Sequence, residues 1–397
     1  MGASGLGSFG LGVATFYLNF LYRALGFDDV RIGALVGSIA IGAVIGALPA
    51  ALAAKRLSRR AAIIVGGSIT GTGIVTILLF EAFPLLALAA LLLGCGGVIV
   101  SSSGNALVAD ATAATDRPAL FGQQIALGTT ASFLASFLAG AVATPVAAAL
   151  GLGPRDPQVI RLLIGAGGAI AAVSVIPILF VGAPRVRSGG HDAPQRRALF
   201  LRFLALEVCF GFGAGSFLPF VNLFFADRYG LSLTAIGAAL GCIAVGGSLG
   251  ALLHSRIAVP KLGQLRAIVL VELASLPFAL VAAIVFDPVV AVVALAMRSF
   301  LMYGASATMT AFQQSSFAPA ERAGAHAGFL IAWNAASAVA AYLSGVVRGS
   351  AGSSGYQINL LTLIAAYLVA ALLTLFLLRS HQPRGDAIAR AASDSAA

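Results

Sequence analysis

Leu25-Gly-Phe-Asp-Asp-Val-Arg-Ile-Gly-Ala-Leu-Val-Gly-Ser-Ile-Ala-Ile-Gly-Ala-Val-Ile-Gly-Ala-Leu48 returns 204 residues later as Tyr229-Gly-Leu-Ser-Leu-Thr-Ala-Ile-Gly-Ala-Ala-Leu-Gly-Cys-Ile-Ala-Val-Gly-Gly-Ser-Leu-Gly-Ala-Leu252. Eleven of the 24 positions are identical, glycine on glycine at Gly26/Gly230, Gly33/Gly237, Gly37/Gly241, Gly42/Gly246 and Gly46/Gly250. A second pair, Asp116-Arg117 and Glu321-Arg322, lies 205 residues apart. The chain is therefore two copies of one unit in the same order, a parallel internal repeat. Gly33, Gly37 and Gly46, with Gly237, Gly241 and Gly250, fall on small-xxx-small spacings that let helices approach closely where no hydrophobic effect draws them together. Such a face serves either tight static packing or a contact that slides during a conformational cycle.

The surroundings of the repeat say which medium the units occupy. Of 397 residues, 59% are apolar and only 10% charged, and the mean hydropathy is +0.99. A soluble chain carries about 25% charged residues, so this one cannot coat a water-facing globule; a soluble enzyme and a disordered chain are excluded. Gly 47 and Pro 15 without a triplet period exclude a fibre. Twelve apolar runs are long enough to cross about 30 Å of hydrocarbon as helices: 5–26, 30–54, 61–80, 84–109, 119–149, 158–182, 199–226, 231–255, 263–286, 288–317, 323–347 and 356–379. They are uniformly apolar rather than alternating, which argues against barrel strands. The expected fold is an all-α integral membrane protein, twelve transmembrane helices arranged as two pseudo-symmetric six-helix bundles. Residues 1–182 form the N-terminal bundle, 183–198 a cytoplasmic linker, 199–379 the C-terminal bundle, and 380–397 a disordered cytoplasmic tail.

The net charge of +10 does not point to nucleic acid, because the basic residues cluster between apolar runs. Of the 24 Lys and Arg, 16 fall in one alternate set of inter-span segments, 5 in the other and 3 inside spans. The positive-inside rule then places both termini in the cytoplasm. Cys95, Cys209 and Cys242 lie in apolar runs, and His191, His254, His326 and His381 share no ligand spacing, so neither a disulfide set nor a metal site is expected. The first run lacks a basic n-region and is too long for a signal peptide. No G-x-x-x-x-G-K-[ST] is present, which argues against primary pumping. The chain is not expected to be an enzyme or to hold a cofactor.

Two six-helix halves in parallel repeat, a basic central loop and both ends inside resemble the major facilitator superfamily over about residues 1–380. The family motif between helices 2 and 3, roughly G-x-L-a-D-R-x-G-R-R, corresponds to Ala51-Leu-Ala-Ala-Lys-Arg-Leu-Ser-Arg-Arg60. Arg56, Arg59 and Arg60 match; Lys55 stands where the family has Asp, a residue that helps latch the cytoplasmic side of the outward-facing state. The resemblance implies that Asp110 pairs with the motif arginine, so Arg56–Asp110 is the surviving part of a cytoplasmic latch; positive-inside placement accounts for the same basic residues. The helix 5 antiporter signature falls on Ala131, Gly140, Thr144, Pro145, Ala148 and Ala149, with only Gly140 and Pro145 identical. Helix 4, Ala90-Leu-Leu-Leu-Gly-Cys-Gly-Gly97, lacks the arginine of many proton-coupled drug exporters. The superfamily resemblance extends only suggestively to the drug-antiporter branch.

Charges inside spans are costly and need a partner or a wet cavity. Glu207, in a helix that lines the cavity by resemblance, is a candidate proton-coupling carboxyl, or else a structural hydrogen-bonding group. Glu272 and Arg298 lie at similar depths on consecutive spans and are expected to form a buried ion pair, structural or anion-binding. Arg23 and Asp227 are related by the 204 offset; a pseudo-two-fold axis brings them together as an outer gate, unless they are solvated rim charges. Tyr17, Asn19, Asn105, Gln123, Phe217, Asn222, Tyr303, Gln313, Trp333 and Asn334 are the expected cavity residues, aromatic and amide-rich with little fixed charge. The Gly-Phe-Gly-Ala-Gly run and Pro219 of the seventh span weaken regular helix there.

The expected function is a secondary active transporter working by alternating access, with proton-coupled export of small amphipathic compounds. A metabolite importer or uniporter, and a non-transporting membrane assembly factor, are the alternatives. The expected partners are a small-molecule substrate and the lipid bilayer, not nucleic acid, and the chain is expected to act as a monomer. The Ala- and Arg-rich, Lys-poor composition matches a GC-rich bacterial genome, hence a bacterial cytoplasmic (inner) membrane.

Overall fold

A computed structural model describes residues 2–110, 117–180, 196–318 and 321–379. Within lipid every backbone N–H and C=O must be paired inside the chain, and among the described residues the only regular elements are helices. The first half contributes α1 (Gly2–Ala24), α2 (Asp29–Arg56), α3 (Arg59–Leu79), α4 (Phe83–Asp110), α5 (Arg117–Leu150) and α6 (Pro157–Val173, followed by the turn Ile176–Leu179). The second half contributes α7 (Arg197–Phe217 and Val221–Tyr229, joined by the 3-10 turn Leu218–Phe220), α8 (Leu233–Leu262), α9 (Gln264–Ile284), α10 (Pro288–Ser316), α11 (Arg322–Ala351) and α12 (Gly355–Leu378). Ten stretches are long and apolar enough to cross a bilayer; one of them, Gly324–Leu378, holds both α11 and α12, and α1 packs among the rest. Residues 183–195 of the expected linker 183–198, and the expected tail 380–397, lie outside the described residues, while Arg197 and Ala198 already belong to α7.

The repeat is visible in the turns. Gly26 ends the turn after α1 with φ +81°, and its counterpart Gly230 ends α7 with φ +64°, a left-handed conformation that glycine adopts at no steric cost. The next helix is capped alike: Arg31 N donates to Asp28 Oδ1 at 2.7 Å, and Ala235 N donates to Ser232 Oγ at 3.2 Å. Packing repeats in the same way. In the first bundle α1 lies on α5 and α6, α4 on α2 and α3, and α3 touches α6; in the second, α7 lies on α11 and α12, α10 on α8 and α9, and α9 touches α12. The bundles meet along two helix pairs exchanged by the same symmetry, α2 with α11 and α5 with α8.

The glycine face divides between two tasks. Gly42 and Gly46 press α2 onto α4 at Leu91 and Cys95, and Gly246 and Gly250 press α8 onto α10 at Ala296 and Phe300, so these four pack within a bundle. Gly33 and Gly37 instead meet Ala341, Gly345 and Ala338 of α11, while Gly237 and Gly241 meet Gly140 and Phe133 of α5. These four form the contact between bundles. A Cβ on Gly33 would lie 2.6 Å from the Ala341 carbonyl oxygen, and one on Gly237 would lie 3.0 Å from the Gly140 Cα.

Both sets of contacts are too tight for a side chain, with different expected consequences. Gly46→Leu forces α2 off α4, where a Cβ would stand 2.7 Å from the Cys95 Cα; overpacking of this kind costs about 1–3 kcal/mol and is expected to lower the melting temperature in detergent. Gly33→Leu is expected to lower it less and to raise thiol labelling of a cysteine introduced at Asp28. Equal melting losses with unchanged labelling would contradict this division.

Candidate functional site

The site grows from the break in α7. Gly211 and Gly215 let α11 approach, a Cβ at either position lying 2.8 Å and 2.6 Å from the Cα atoms of Trp333 and Ser337. Pro219 has no N–H to continue the helical ladder, and the chain passes through the 3-10 turn Leu218–Phe220. Leu223 N, which would meet the Pro219 carbonyl in a continuous helix, donates instead to Asn222 Oδ1 at 2.9 Å, so that carbonyl is open to a side chain. Asn19 of α1 takes it, donating from Nδ2 at 2.7 Å, and also donates to Asn222 Oδ1 at 2.9 Å. Asn222 in turn donates to the Phe16 carbonyl at 3.1 Å. Both amides are buried, so α1 and α7, one from each bundle, are tied by a closed set of hydrogen bonds. The Tyr17 hydroxyl donates to the Ala139 carbonyl and holds α1 on α5.

One turn further on lies an ionic layer. Arg23 Nη1 contacts Asp227 Oδ1 and Oδ2 at 2.6 and 2.5 Å, and Arg23 Nη2 contacts Asp29 Oδ1 at 2.7 Å. The same Asp29 oxygen accepts from Arg348 Nη1 of α11 at 2.6 Å. The Tyr356 hydroxyl of α12 donates to Asp227 at 2.5 Å. Arg348 has a side-chain exposure of 0%, and its guanidinium lies 4.1 Å from the centre of the Phe220 ring in the α7 turn. Arg155 donates to the Leu231 carbonyl and Thr234 to the Gly140 carbonyl, adding two more bonds between the bundles. We call this end of the molecule the loop pole, because the α1–α2 and α7–α8 turns lie there.

Beneath the amide tie is a cavity of about 300 Å³, lined by Gly12, Thr15 and Phe16 of α1, Ser132 and Ser136 of α5, Leu218, Pro219, Val221 and Asn222 of α7, and Leu240 of α8. Among the described residues its lining holds no ionisable side chain, and of the expected cavity residues that are described only Asn222 is in it. Thr15, Ser132 and Ser136 carry no sequence signal that separates them from packing residues of a Gly- and Ala-rich helix, whereas Pro219 is the helix breaker the sequence marks in the seventh span.

The other expected residues are placed as follows. Glu207 accepts a 2.6 Å hydrogen bond from Gln313 Nε2, joining α7 to α10 within the second bundle. Phe217 is buried, edge-on to Phe224 at 5.2 Å. Trp333 is half-buried beside Gly211. Asn334 donates to the Leu330 carbonyl at 2.8 Å within its own helix. Tyr303 is 53% exposed, its ring edge against Gly247, and Asn105 is exposed. Arg59 and Arg60 stand in the first turn of α3, behind the N-cap Ser58. The side chains of Arg56, Asp110 and Gln123 lie outside the described residues.

One expectation is corrected. Glu272 and Arg298 share a depth but do not pair: Glu272 Oε2 and Arg298 Nε and Nη2 are buried without hydrogen-bond partners. The guanidinium is turned instead onto the Tyr367 ring of α12, 5.1 Å from its centre. Helical rise fixed the depth of the two groups; the rotation of each helix and the competing aromatic face decide where the arginine points.

The Major Facilitator Superfamily model matches residues 1–341. The chain belongs to the Major Facilitator Superfamily. Among solved structures, the nucleoside transporter NupG superposes with a TM-score of 0.72 at 17% identity over 96% of this chain and 98% of its own. A bacterial homologue of the human lysosomal transporter Spinster, described as inward-facing and occupied, gives 0.70 at 17% over 94% and 96%. The E. coli fucose:proton symporter FucP gives 0.65 at 13% over 94% and 98%. At these identities the likeness is one of fold. No curated protein sequence matches the chain. As a member of this superfamily of transporters, it is a multi-pass membrane protein.

Magnitudes rank the ionic contacts of this superfamily member. The Arg23–Asp227 pair is a third exposed, and such pairs contribute about 0–1 kcal/mol. Removing the partner of a fully buried charge costs about 3–5 kcal/mol, and Asp29 is that partner for Arg348. Asp29→Asn is therefore expected to lower the melting temperature several times more than Asp227→Asn. Equal losses from the two would mean that Arg348 does not depend on Asp29.

Proposed function

We propose that this chain is a proton-coupled secondary transporter that exports small amphipathic compounds across a bacterial cytoplasmic membrane by alternating access. Both termini face the cytoplasm and the loop pole faces outward. On this reading the arrangement described is closed outside, held by Arg23, Asp227, Asp29 and Arg348 as the outer gate, and the opposite state is held by Arg56, Arg59, Arg60 and Asp110 as the cytoplasmic latch. The observation that carries the substrate class is the cavity between the bundles: among the described residues it is lined by methylene, phenyl, hydroxyl and amide groups without an ionisable one. Such a lining binds a neutral or weakly cationic amphipath without leaving a charge unpaired. Glu207 supplies the coupling site. It is the carboxyl of the Arg197–Phe217 segment of α7, its described partner is the neutral amide of Gln313, and so it can exchange a proton without breaking an ion pair. The protein acts as a monomer and needs no cofactor beyond the coupling proton.

The hydroxyls of Thr15, Ser132 and Ser136 beside Asn222 favour a second reading, uptake of a neutral polar metabolite through the same cavity. The printed descriptions of NupG as a nucleoside transporter and FucP as a fucose:proton symporter are compatible with that class.

The test is accumulation of amphipathic dyes in a bacterium lacking its main exporters, with and without a protonophore. Export predicts lower accumulation than in cells without the protein, and loss of that difference with the protonophore. Glu207→Gln is expected to abolish concentrative export while leaving dye counterflow in proteoliposomes. No effect on any dye, with saturable uptake of a neutral sugar or nucleoside, would replace export by import. Proton-driven export that survives Glu207→Gln would remove Glu207 from the coupling.

A further inference from the structure

The failed ion pair between α9 and α10 has a chemical meaning of its own. Glu272 is 2% exposed and Arg298 5% exposed, both inside the second bundle. Arginine keeps its charge in any protein environment, and a buried carboxylate left without a cation is heavily penalised. In the arrangement described, the guanidinium faces Tyr367 and Glu272 Oε2 has no donor, an environment that favours the neutral acid over the carboxylate. The helices carrying the two groups pack directly on one another. Counted from the loop-pole ends of α9 at Ile284 and α10 at Pro288, their depths differ by about 3 Å at 1.5 Å rise per residue.

We propose that Glu272 is a proton-binding site of the second bundle, separate from Glu207, whose proton is exchanged for an ion pair with Arg298. On release the carboxyl O–H bond breaks, the proton passes to water, and the carboxylate takes the guanidinium, which leaves the Tyr367 ring. On uptake the carboxylate is reprotonated and Arg298 returns to the ring. The groups facing Glu272 are few. From α10 comes Arg298 and from α12 comes Tyr367, whose ring lies 5.1 Å from that guanidinium. His254 of α8 is bonded to Thr308 of α10 at 2.8 Å, ten residues along that helix from Arg298. No second carboxylate shares the pocket among these.

The exchange reaches α7 through Tyr367. That ring stacks edge-on against Phe210 at 5.4 Å and fills the space over Gly213, where a Cβ would lie 2.6 Å from it. Both residues belong to the part of α7 that leads into the 3-10 turn. Occupancy of Glu272 by a proton thus selects whether the Tyr367 ring is braced by a cation on its other side. The inference rests on the second bundle alone and holds whether the protein exports or imports.

Infrared difference spectroscopy of the purified full chain as a function of pH tests it. The Glu207→Gln chain, which lacks the coupling carboxyl's own signal, is expected to show a protonated-carboxyl carbonyl band that disappears as pH rises and is missing when Glu272→Gln is added. When Arg298→Gln is added instead, which leaves the carboxylate no cation, the band is expected to survive alkaline conditions that remove it from Glu207→Gln alone. That variant tests the proposal even if the one with Glu272→Gln fails to fold. A Glu207→Gln band that is pH-independent, that persists when Glu272→Gln is added, or that titrates identically when Arg298→Gln is added would overturn it.

Discussion

Two backbones that nearly touch hold this molecule together. Lipid gives helices no hydrophobic reason to associate, so two bundles that must stay together across a bilayer depend on dispersion contact and on hydrogen bonds, both of which need close approach. Gly33 against Gly345, and Gly237 against Gly140, supply that approach at the two symmetry-related seams. Everything that makes the loop pole chemically specific depends on it. The Thr234 hydroxyl reaches the Gly140 carbonyl, and Arg348 reaches Asp29, because the helices carrying them are already within glycine distance.

On that close seam the polar groups are layered by depth. The outermost layer is ionic and partly wet, the next is an amide tie that excludes water, and the cavity beneath them is uncharged. The order matches electrostatic cost. Charges lie where solvent still screens them, with Arg348 as the exception that an aromatic face and a carboxylate make tolerable. Neutral amides come next, where an ion would be too costly. The 3-10 turn of α7 belongs to both lower layers, since the carbonyl it frees is held by Asn19 and its residues line the cavity.

Much of the architecture was legible because the chain repeats itself. One offset yields the two bundles, their glycine faces and the paired turns at Gly26 and Gly230, and it also sets Arg23 opposite Asp227, since equivalent residues near a pseudo-two-fold axis face each other. What was hidden lacked that help. Arg348 reads as an ordinary basic residue at the end of a span, and nothing in a single sequence joins it to Asp29, 319 positions away. The cavity hydroxyls are chemically indistinct from packing residues in a helix full of Ala and Gly. Glu272 and Arg298 show the limit of counting along helices: rise gives depth, while azimuth is decided by neighbours such as Tyr367 that come from elsewhere in the chain.

The two copies of the repeat are not mechanical equals. The counterpart of Pro219 under the 204 offset is Thr15, whose hydroxyl bonds back to the Leu11 carbonyl at 2.9 Å inside an unbroken α1. One unit therefore presents a stiff strut to the pole and the other a jointed one. The twofold symmetry conceals a lever with a single elbow, and a force applied at the loop pole deflects the seventh helix before the first.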